Sequence, residues 1–173
     1  VGTLRLGGQS SLPWQVLGYV ERCEVPQGPD DEQVFWREYL LYHRSEGFAF
    51  LVDAEDGWSW TAPITGVPER ATEVVRYQGE AYRKLYSYQG KATYVLGEFY
   101  WQLERDQLTD NTDYQGVGAA SAKRLNREQT RDEIVWSAGE TLAADTVLQA
   151  FRLAPEKAAA LQRDALPAAG NAA

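Results

Sequence analysis

The chain has 173 residues, of which 44% are hydrophobic and 12% aromatic, and its 17 basic against 25 acidic residues give a formal net charge of −8. This composition is typical of a globular protein, and the length fits one domain. The acidic balance argues against a nucleic-acid binder, which needs clustered Lys and Arg to contact phosphates. The apolar runs are too short to cross a membrane, so we expect no membrane insertion. A single Cys favours a reducing, cytoplasmic location, and the lack of Met predicts that Val1 is a processed or excised start.

A side-chain period of two dominates the sequence and predicts a β-rich domain. Pro and Gly cluster in the loops predicted at residues 26–31 and 63–69, and the polar stretch 110–122 is typical of a long connection. Bulky residues alternate in the predicted strands, which cover residues 14–23, 35–42, 48–52, 58–60, 74–78, 81–88, 93–103 and 134–137.

Helical signals come only late in the chain. Asp145 is predicted to cap a short turn through Phe151, and Pro155 suits the first position of a further helix that ends before Pro167. We therefore predict a mainly β domain over residues 1–153, an antiparallel β-sandwich or partly closed β-barrel. A C-terminal α-helix and a frayed Ala-rich tail would follow over residues 154–173.

An internal similarity leaves open a duplication. The aromatic alternation and acidic turn of residues 48–58 resemble those of residues 99–108. Two pseudo-symmetric half-units closing over one core would explain this similarity, and so would chance, because alternating aromatic strands resemble one another.

Metal and catalytic motifs give little support for chemistry. A zinc site needs four ligands, and Cys23 and His43 are the only Cys and His in the chain. A hairpin about the 26–31 loop would hold these two side chains some 20 Å apart, too far for proton transfer. The sequence contains no nucleophile elbow and no phosphate-binding loop. We expect no catalytic residue, no metal and no cofactor.

Aromatic residues and their acidic neighbours remain as candidates for binding. Glu98 and Glu133 lie beside aromatic residues in the sequence, where a carboxylate can hold a cation or gain a raised pKa. Trp36, Trp101 and Trp136 are predicted to form one aromatic cluster, either as core or as the lining of a pocket.

Two further groupings extend these candidates. Trp58 and Trp60, like Trp101, either fill the core or offer a stacking surface for a sugar. The predicted members of a charged network on the opposite face are Arg37, Glu38, Glu98, Glu128 and Glu133.

A set of short motifs resembles a known family when it is taken in order. These motifs are FWREYLLY (35–42), GFAFLV (47–52), DGW (56–58), GEFYW (97–101), DY (113–114), LxxE (125–128) and DEIVWSxG (132–139), where x is any residue. The set resembles the bacterial domain of unknown function DUF4178, over about residues 1–153. The resemblance implies no catalytic residues. It does imply longer relatives with a zinc-ribbon segment and two domain copies, and genes near membrane-stress proteins and polyamine aminopropyltransferases.

The expected function follows from these observations together. We expect a non-catalytic interaction or ligand-binding module whose partner is a protein or another domain of a longer parent chain. It would be cytoplasmic and accessory to a membrane-stress or polyamine-linked system. The alternative is a small-ligand domain that binds a polyamine or a sugar in an aromatic and acidic pocket formed by Trp36, Trp101, Trp136, Glu98 and Glu133.

Overall fold

The computed structural model describes residues 1–8 and 10–163, which form mostly antiparallel β-structure. No helix in this part of the chain is both long and apolar enough to span a bilayer. The described residues form the strands β1 (Gly2–Leu4), β2 (Leu12–Glu24), β3 (Phe35–His43), β4 (Gly47–Ala54), β5 (Gly57–Pro63), β6 (Glu69–Ala71), β7 (Val74–Tyr77), β8 (Glu80–Gly97), β9 (Leu108–Gly116), β10 (Lys123–Gln129) and β11 (Ile134–Leu142). The helices are α1 (Ala144–Ala150) and α2 (Ala158–Leu161), with 3-10 turns at Gly118–Ala120 and Pro155–Lys157.

Eight strands close into a barrel in the order β2-β3-β4-β5-β11-β10-β9-β8, because β8 also pairs with β2. The predicted antiparallel barrel is therefore confirmed. The chain builds it from two four-stranded meanders, β2–β5 and β8–β11, which join first strand to first strand and last strand to last strand. The similarity between residues 48–58 and 99–108 does not follow this arrangement. The first range lies in β4 and β5, whereas most of the second lies between β8 and β9.

The barrel is wide for its number of strands. Gly18 in β2 pairs directly with Gly97 in β8. Around the rest of the barrel, each strand contributes one residue to the same row of cross-strand partners. Starting from Gly18, the row passes through Leu40, Phe50, Thr61, Gly139, Arg124 and Gln115 and reaches β8 at Arg83. Arg83 lies fourteen residues before Gly97 in β8. Two β-bulges in β8 account for part of this offset, so the stagger is about twelve residues, against about eight in the filled TIM barrel. A larger stagger widens a barrel, and eight-stranded barrels are either filled by side chains or hold one small ligand.

Apolar packing lies largely outside the barrel, in two separate clusters. β1, α1 and Leu161 cover the outer face of β3, β4 and β5, where Leu41, Leu51 and Trp58 are buried. The β6–β7 hairpin covers the outer face of β9, β10 and β11 through Val75. These two outer clusters anchor the barrel wall, while the inner face carries polar side chains together with the fully buried Val20 and Leu40, which share the face of Glu38.

The strand predicted over residues 93–103 is wrong beyond Gly97. Gly97 has a φ of +94°, which favours glycine, and the Glu98 N–H then donates to the Leu17 carbonyl at 3.0 Å. The chain leaves the sheet at this point. Residues 99–101 consequently do not continue β8.

The interpretation of residues 110–122 as a long connection is also wrong, because β9 runs to Gly116 and is paired on both edges. β10 was not predicted at all. Asn111, Asp113 and Asn126 occupy positions of these strands that face the interior, where a filled barrel would place apolar residues. Because their inner faces are polar, both strands lack the hydrophobic alternation by which strands are recognised in a sequence.

The C-terminal region differs from the prediction in detail. Asp145 lies in the first turn of α1, and the N-cap is Ala143. The helix predicted from Pro155 is a 3-10 turn followed by α2, which ends at Leu161, while the predicted end at Pro167 and the tail lie outside the described residues. Arg163 forms a two-pronged ion pair with buried Asp53, both contacts measuring 2.7 Å. The segment after α1 is thus packed against the barrel wall.

Candidate functional site

Polar side chains from five strands meet inside the barrel. Register places them on one face, because Asp113 is opposite Asn126 and Asn111 is opposite both Tyr88 and Glu128. We call this group the inner polar cluster, and its members are Arg22, Glu38, Tyr88, Asn111, Asp113, Asn126 and Glu128.

A buried ion pair forms one side of the cluster. The Arg22 Nε donates to Glu38 Oε2 at 3.0 Å, and the two side chains are only 7% and 19% exposed. The Trp36 Nε1 donates to the other Glu38 oxygen at 2.9 Å. Desolvation lowers the pKa of Arg22, but the charges of Glu38 and Glu128 outweigh it and the pKa lies above its ordinary value. The guanidinium therefore stays charged inside the barrel.

A chain of amide and carboxyl groups forms the opposite side. The Asn126 Nδ2 donates to Asp113 Oδ1 at 2.7 Å and contacts Asn111 Oδ1 at 3.4 Å, while the Asn111 Nδ2 donates to Thr109 Oγ1 at 2.9 Å. Desolvation raises the pKa of Asp113, although the hydrogen bonds from Asn126 and Tyr88 oppose it. Asp113 is thus a desolvated carboxyl that is held in a fixed orientation.

Glu128 is the member of the cluster without a direct partner. Its carboxylate makes no hydrogen bond or ion pair to any residue that the structure describes. Over the same residues, Trp14 Nε1 is the only side-chain N or O atom that is both unbonded and sealed from solvent. The Glu128 oxygens must therefore touch solvent inside the barrel. Desolvation raises the pKa of Glu128, Arg22 opposes this, and the charges of Glu38 and Glu133 add to it.

The raised pKa of Glu128 has a measurable effect on stability. Because its folded-state pKa lies above the unfolded value, stability is lost as the pH rises through the folded pKa. The change Glu128→Gln removes this penalty and is expected to raise the Tm at neutral pH by about 2 °C. The gain should vanish at acid pH, where the wild-type carboxyl is protonated. Thermal melts across pH test this, with exposed Glu98→Gln as the control, and a lowered Tm at neutral pH would contradict it.

Aromatic rings line the barrel end next to the cluster. Trp36 and Tyr88 meet edge to face with centroids 5.7 Å apart, and Tyr86 lies 5.6 Å from Tyr88. Trp36 also reaches Gly90, where an added Cβ would lie 3.0 Å from the indole ring. Tyr86 is 47% exposed, whereas Trp36 and Tyr88 are half-buried. Solvent therefore reaches the cluster from this end, past aromatic side chains.

The segment that follows β8 covers the other end of the barrel. Tyr100 packs on Phe48 with ring centroids 4.3 Å apart, and Trp101 packs on Phe50 at 5.6 Å. Phe99 lies against Gly18, where an added Cβ would come within 2.8 Å of its ring. The site is thus a cup, with an aromatic base formed by residues 99–101 and the inner polar cluster above it.

Comparison with known protein families shows which family the chain belongs to. The model of the domain of unknown function DUF4178 matches residues 7–144, most of the chain. The chain belongs to the DUF4178 family. Searches of curated proteins and of solved structures found no match. The inner polar cluster of this DUF4178 domain lies wholly within the matched range, and Glu38, Asp113 and Glu128 belong to the short motifs that carry the resemblance.

The structure separates the site residues that were predicted for the DUF4178 domain. Trp36 lies at the open end of the barrel, Trp101 in the base, and Trp136 in the outer cluster, where it packs on Tyr114 with centroids 5.7 Å apart. Glu98 and Glu133 are exposed on the rim. The aromatic contacts among the described residues join no two of these three indoles.

The remaining candidates divide in the same way. Of the predicted charged network, Glu38 and Glu128 lie inside the barrel, while Arg37 lies outside and contacts Asp53 at 3.4 Å. Trp58 is buried and Trp60 half-buried in the outer cluster. Cys23 pairs with Phe35 at the start of β3, eight residues from His43, so the two are about 26 Å apart along the ladder.

Sequence reasoning missed five members of the cluster as site residues, namely Arg22, Tyr88, Asn111, Asp113 and Asn126. A lone Arg in a predicted strand, such as Arg22, gives no sign that its side chain points into a barrel. The same is true of Asn111 and Asp113, which lie in a segment predicted to be a loop. The available signal was indirect. Asn111 and Asp113 stand at alternate positions of β9, and Asn126 stands at an inner position of β10. A filled barrel places apolar residues at such positions.

Proposed function

We propose that this DUF4178 domain is a non-catalytic ligand-binding module that holds a small organic cation of the polyamine class at the inner polar cluster. The observation that carries the proposal is the Glu128 carboxylate, which touches solvent inside the barrel and has no direct protein partner in the described chain. A partly desolvated carboxylate of this kind costs stability, and a bound cation would compensate its charge.

The charges of the cluster favour a cation over an anion. The three inner carboxyls of Glu38, Asp113 and Glu128 outnumber two guanidinium groups, that of Arg22, which is paired with Glu38, and that of the half-buried Arg124, which lies near Asp113. The net charge of −8 for the whole chain would also attract a polycation over a distance.

The aromatic residues at the open end support the same ligand class. Trp36, Tyr86 and Tyr88 present ring faces and edges on the path to the carboxylates. Ring faces attract ammonium groups, by about 0.5–2 kcal/mol for each well-placed contact. In a polyamine, the ammonium groups would contact the carboxylates and the methylene spacers would contact the aromatic rings.

A neutral sugar is the second candidate ligand. The amide groups of Asn111 and Asn126 and the carboxyl of Asp113 are suited to hydroxyl groups, and Trp36 offers a stacking ring. A sugar would not need the charge of Glu128. Loss of charge at that position therefore separates the two ligands.

Calorimetric titration with spermidine tests the proposal. We expect saturable binding to the wild-type domain that weakens about ten-fold or more in Glu128→Gln and in Asp113→Asn. The matched controls are Glu98→Gln and Glu46→Gln, which remove exposed charges outside the cluster and should change binding little. No response at millimolar spermidine, or equal losses in all four variants, would refute the proposal. Binding of a neutral hexose that is equal in Glu128→Gln would favour the sugar.

An outer surface favours an interaction role alongside ligand binding. Tyr94 and Leu96 are 49% and 58% exposed on β8, and Tyr19 on β2 packs on Tyr94 with centroids 6.2 Å apart. Apolar side chains grouped on one face are typical of contacts with another protein or with another domain of a longer chain. This supports the proposal of an accessory module in the bacterial cytoplasm, a location that the single Cys also favours.

A further inference from the structure

A second concave site lies outside the barrel, between the β6–β7 hairpin and the start of β11. It is a groove of about 340 Å³, at the lower end of the range of small-molecule pockets. The buried Trp136 forms part of its floor, and Ile134 and Val67, which are 50% and 77% exposed, form apolar walls. The groove shares no residue with the inner polar cluster.

Two arginines converge on this apolar groove from different elements. Arg127 stands directly opposite Trp136 in the β10–β11 ladder, and Arg70 pairs with the buried Val75 in the hairpin, so both side chains face the groove. In the part of the chain that the structure describes, neither guanidinium forms an ion pair, and the nearby exposed Glu133 approaches neither within 4 Å. In a chain with a net charge of −8, two free arginines over an apolar floor are complementary to an anion with an apolar body.

We propose that this groove binds a free aliphatic carboxylic acid. The carboxylate lies between Arg70 and Arg127, whose planar guanidinium groups can each donate two parallel hydrogen bonds. The alkyl chain lies on Trp136 and removes Ile134 and Val67 from water. The site is separate from the proposed cation site and would act independently of it.

Titration with octanoate, followed through the indole ¹H–¹⁵N resonances, tests this site. We expect the Trp136 resonance to shift saturably while the resonances of Trp36 and Trp101 stay in place. The changes Arg70→Gln and Arg127→Gln should each weaken binding about ten-fold. Arg105→Gln is the matched control, because the Arg105 side chain is 76% exposed and outside the groove.

Comparing octanol with octanoate on the wild-type protein shows whether the groove recognises the carboxylate or only the alkyl chain. Octanol carries the same alkyl chain and should bind the wild-type protein at least about ten-fold more weakly. Equal binding of octanol and octanoate, unchanged affinity in both arginine variants, or no saturable shift of Trp136 would overturn the proposal. Spermidine binding should be the same with and without octanoate, which keeps the outcomes for the two sites distinguishable.

Discussion

Replacing Gly139 by alanine is expected to lower the Tm by about 10 °C, an effect of about 3 kcal/mol or more on the free energy of unfolding. Gly139 lies in the ladder between β5 and β11, which is one of the two seams that join the meanders. A Cβ at this position would overlap the Trp60 carbonyl oxygen, which is backbone and cannot rotate away. The strands of the seam would have to separate, and barrel closure would weaken.

The control for this change is Gly28→Ala. Gly28 lies in the loop between β2 and β3, and an added Cβ would meet no atom within 4 Å. Its replacement should alter the free energy of unfolding by less than about 0.5 kcal/mol. Denaturant melts of both variants measure the difference. Equal stabilities would show that β5 and β11 do not approach each other as closely as the structure has them.

The change Arg22→Met is expected to destabilise the protein by about 3–5 kcal/mol, because it leaves Glu38 and Glu128 inside the barrel without a counter-charge. The loss should shrink as the pH falls. Without Arg22, nothing offsets this part of the desolvation that raises the pKa of Glu128, so this carboxyl binds a proton in the folded state as the pH falls and its share of the penalty disappears. Denaturant melts at neutral and acid pH measure both effects.

Arg37→Met is the matched control for the ion pair. The Arg37 side chain is 53% exposed on the outer face of the same barrel, and its partner Asp53 keeps the closer contacts to Arg163. Its loss should cost less than about 1 kcal/mol. The double change Arg22→Met with Glu38→Gln should recover part of the stability. A variant Arg22→Met that is as stable as Arg37→Met would contradict a buried polar interior.

The parts of the fold that the sequence predicts correctly are those with an apolar face. β2, β3, β4 and β5 alternate clearly, since their outer faces bury residues such as Leu41 and Leu51 under β1 and α1. β9 and β10 also bury an outer face, at Tyr114 and Leu125, but the residues next to these in the sequence are polar and lie on the inner face. A polar inner face can be recognised only when barrel closure is known, and closure depends on the pairing of β2 with β8.

The candidate site was less predictable than the fold. Trp36 was selected and lies beside the cluster, yet Glu98 and Glu133 were chosen for their neighbours in sequence and are exposed. Arg22 and Glu128 are more than a hundred residues apart, and register across five strands brings their charges into reach of each other. Sequence distance and local composition contain no information about that register, which depends on closure and on the two bulges of β8.

The most direct test of a cation site inside the barrel is the pattern of intermolecular NOEs between spermidine methylene protons and assigned aromatic rings. We expect contacts to Trp36, Tyr86 and Tyr88, and their loss in Glu128→Gln. Contacts confined to the outer-face rings of Tyr19 and Tyr94, or no contact at saturating spermidine, would contradict it.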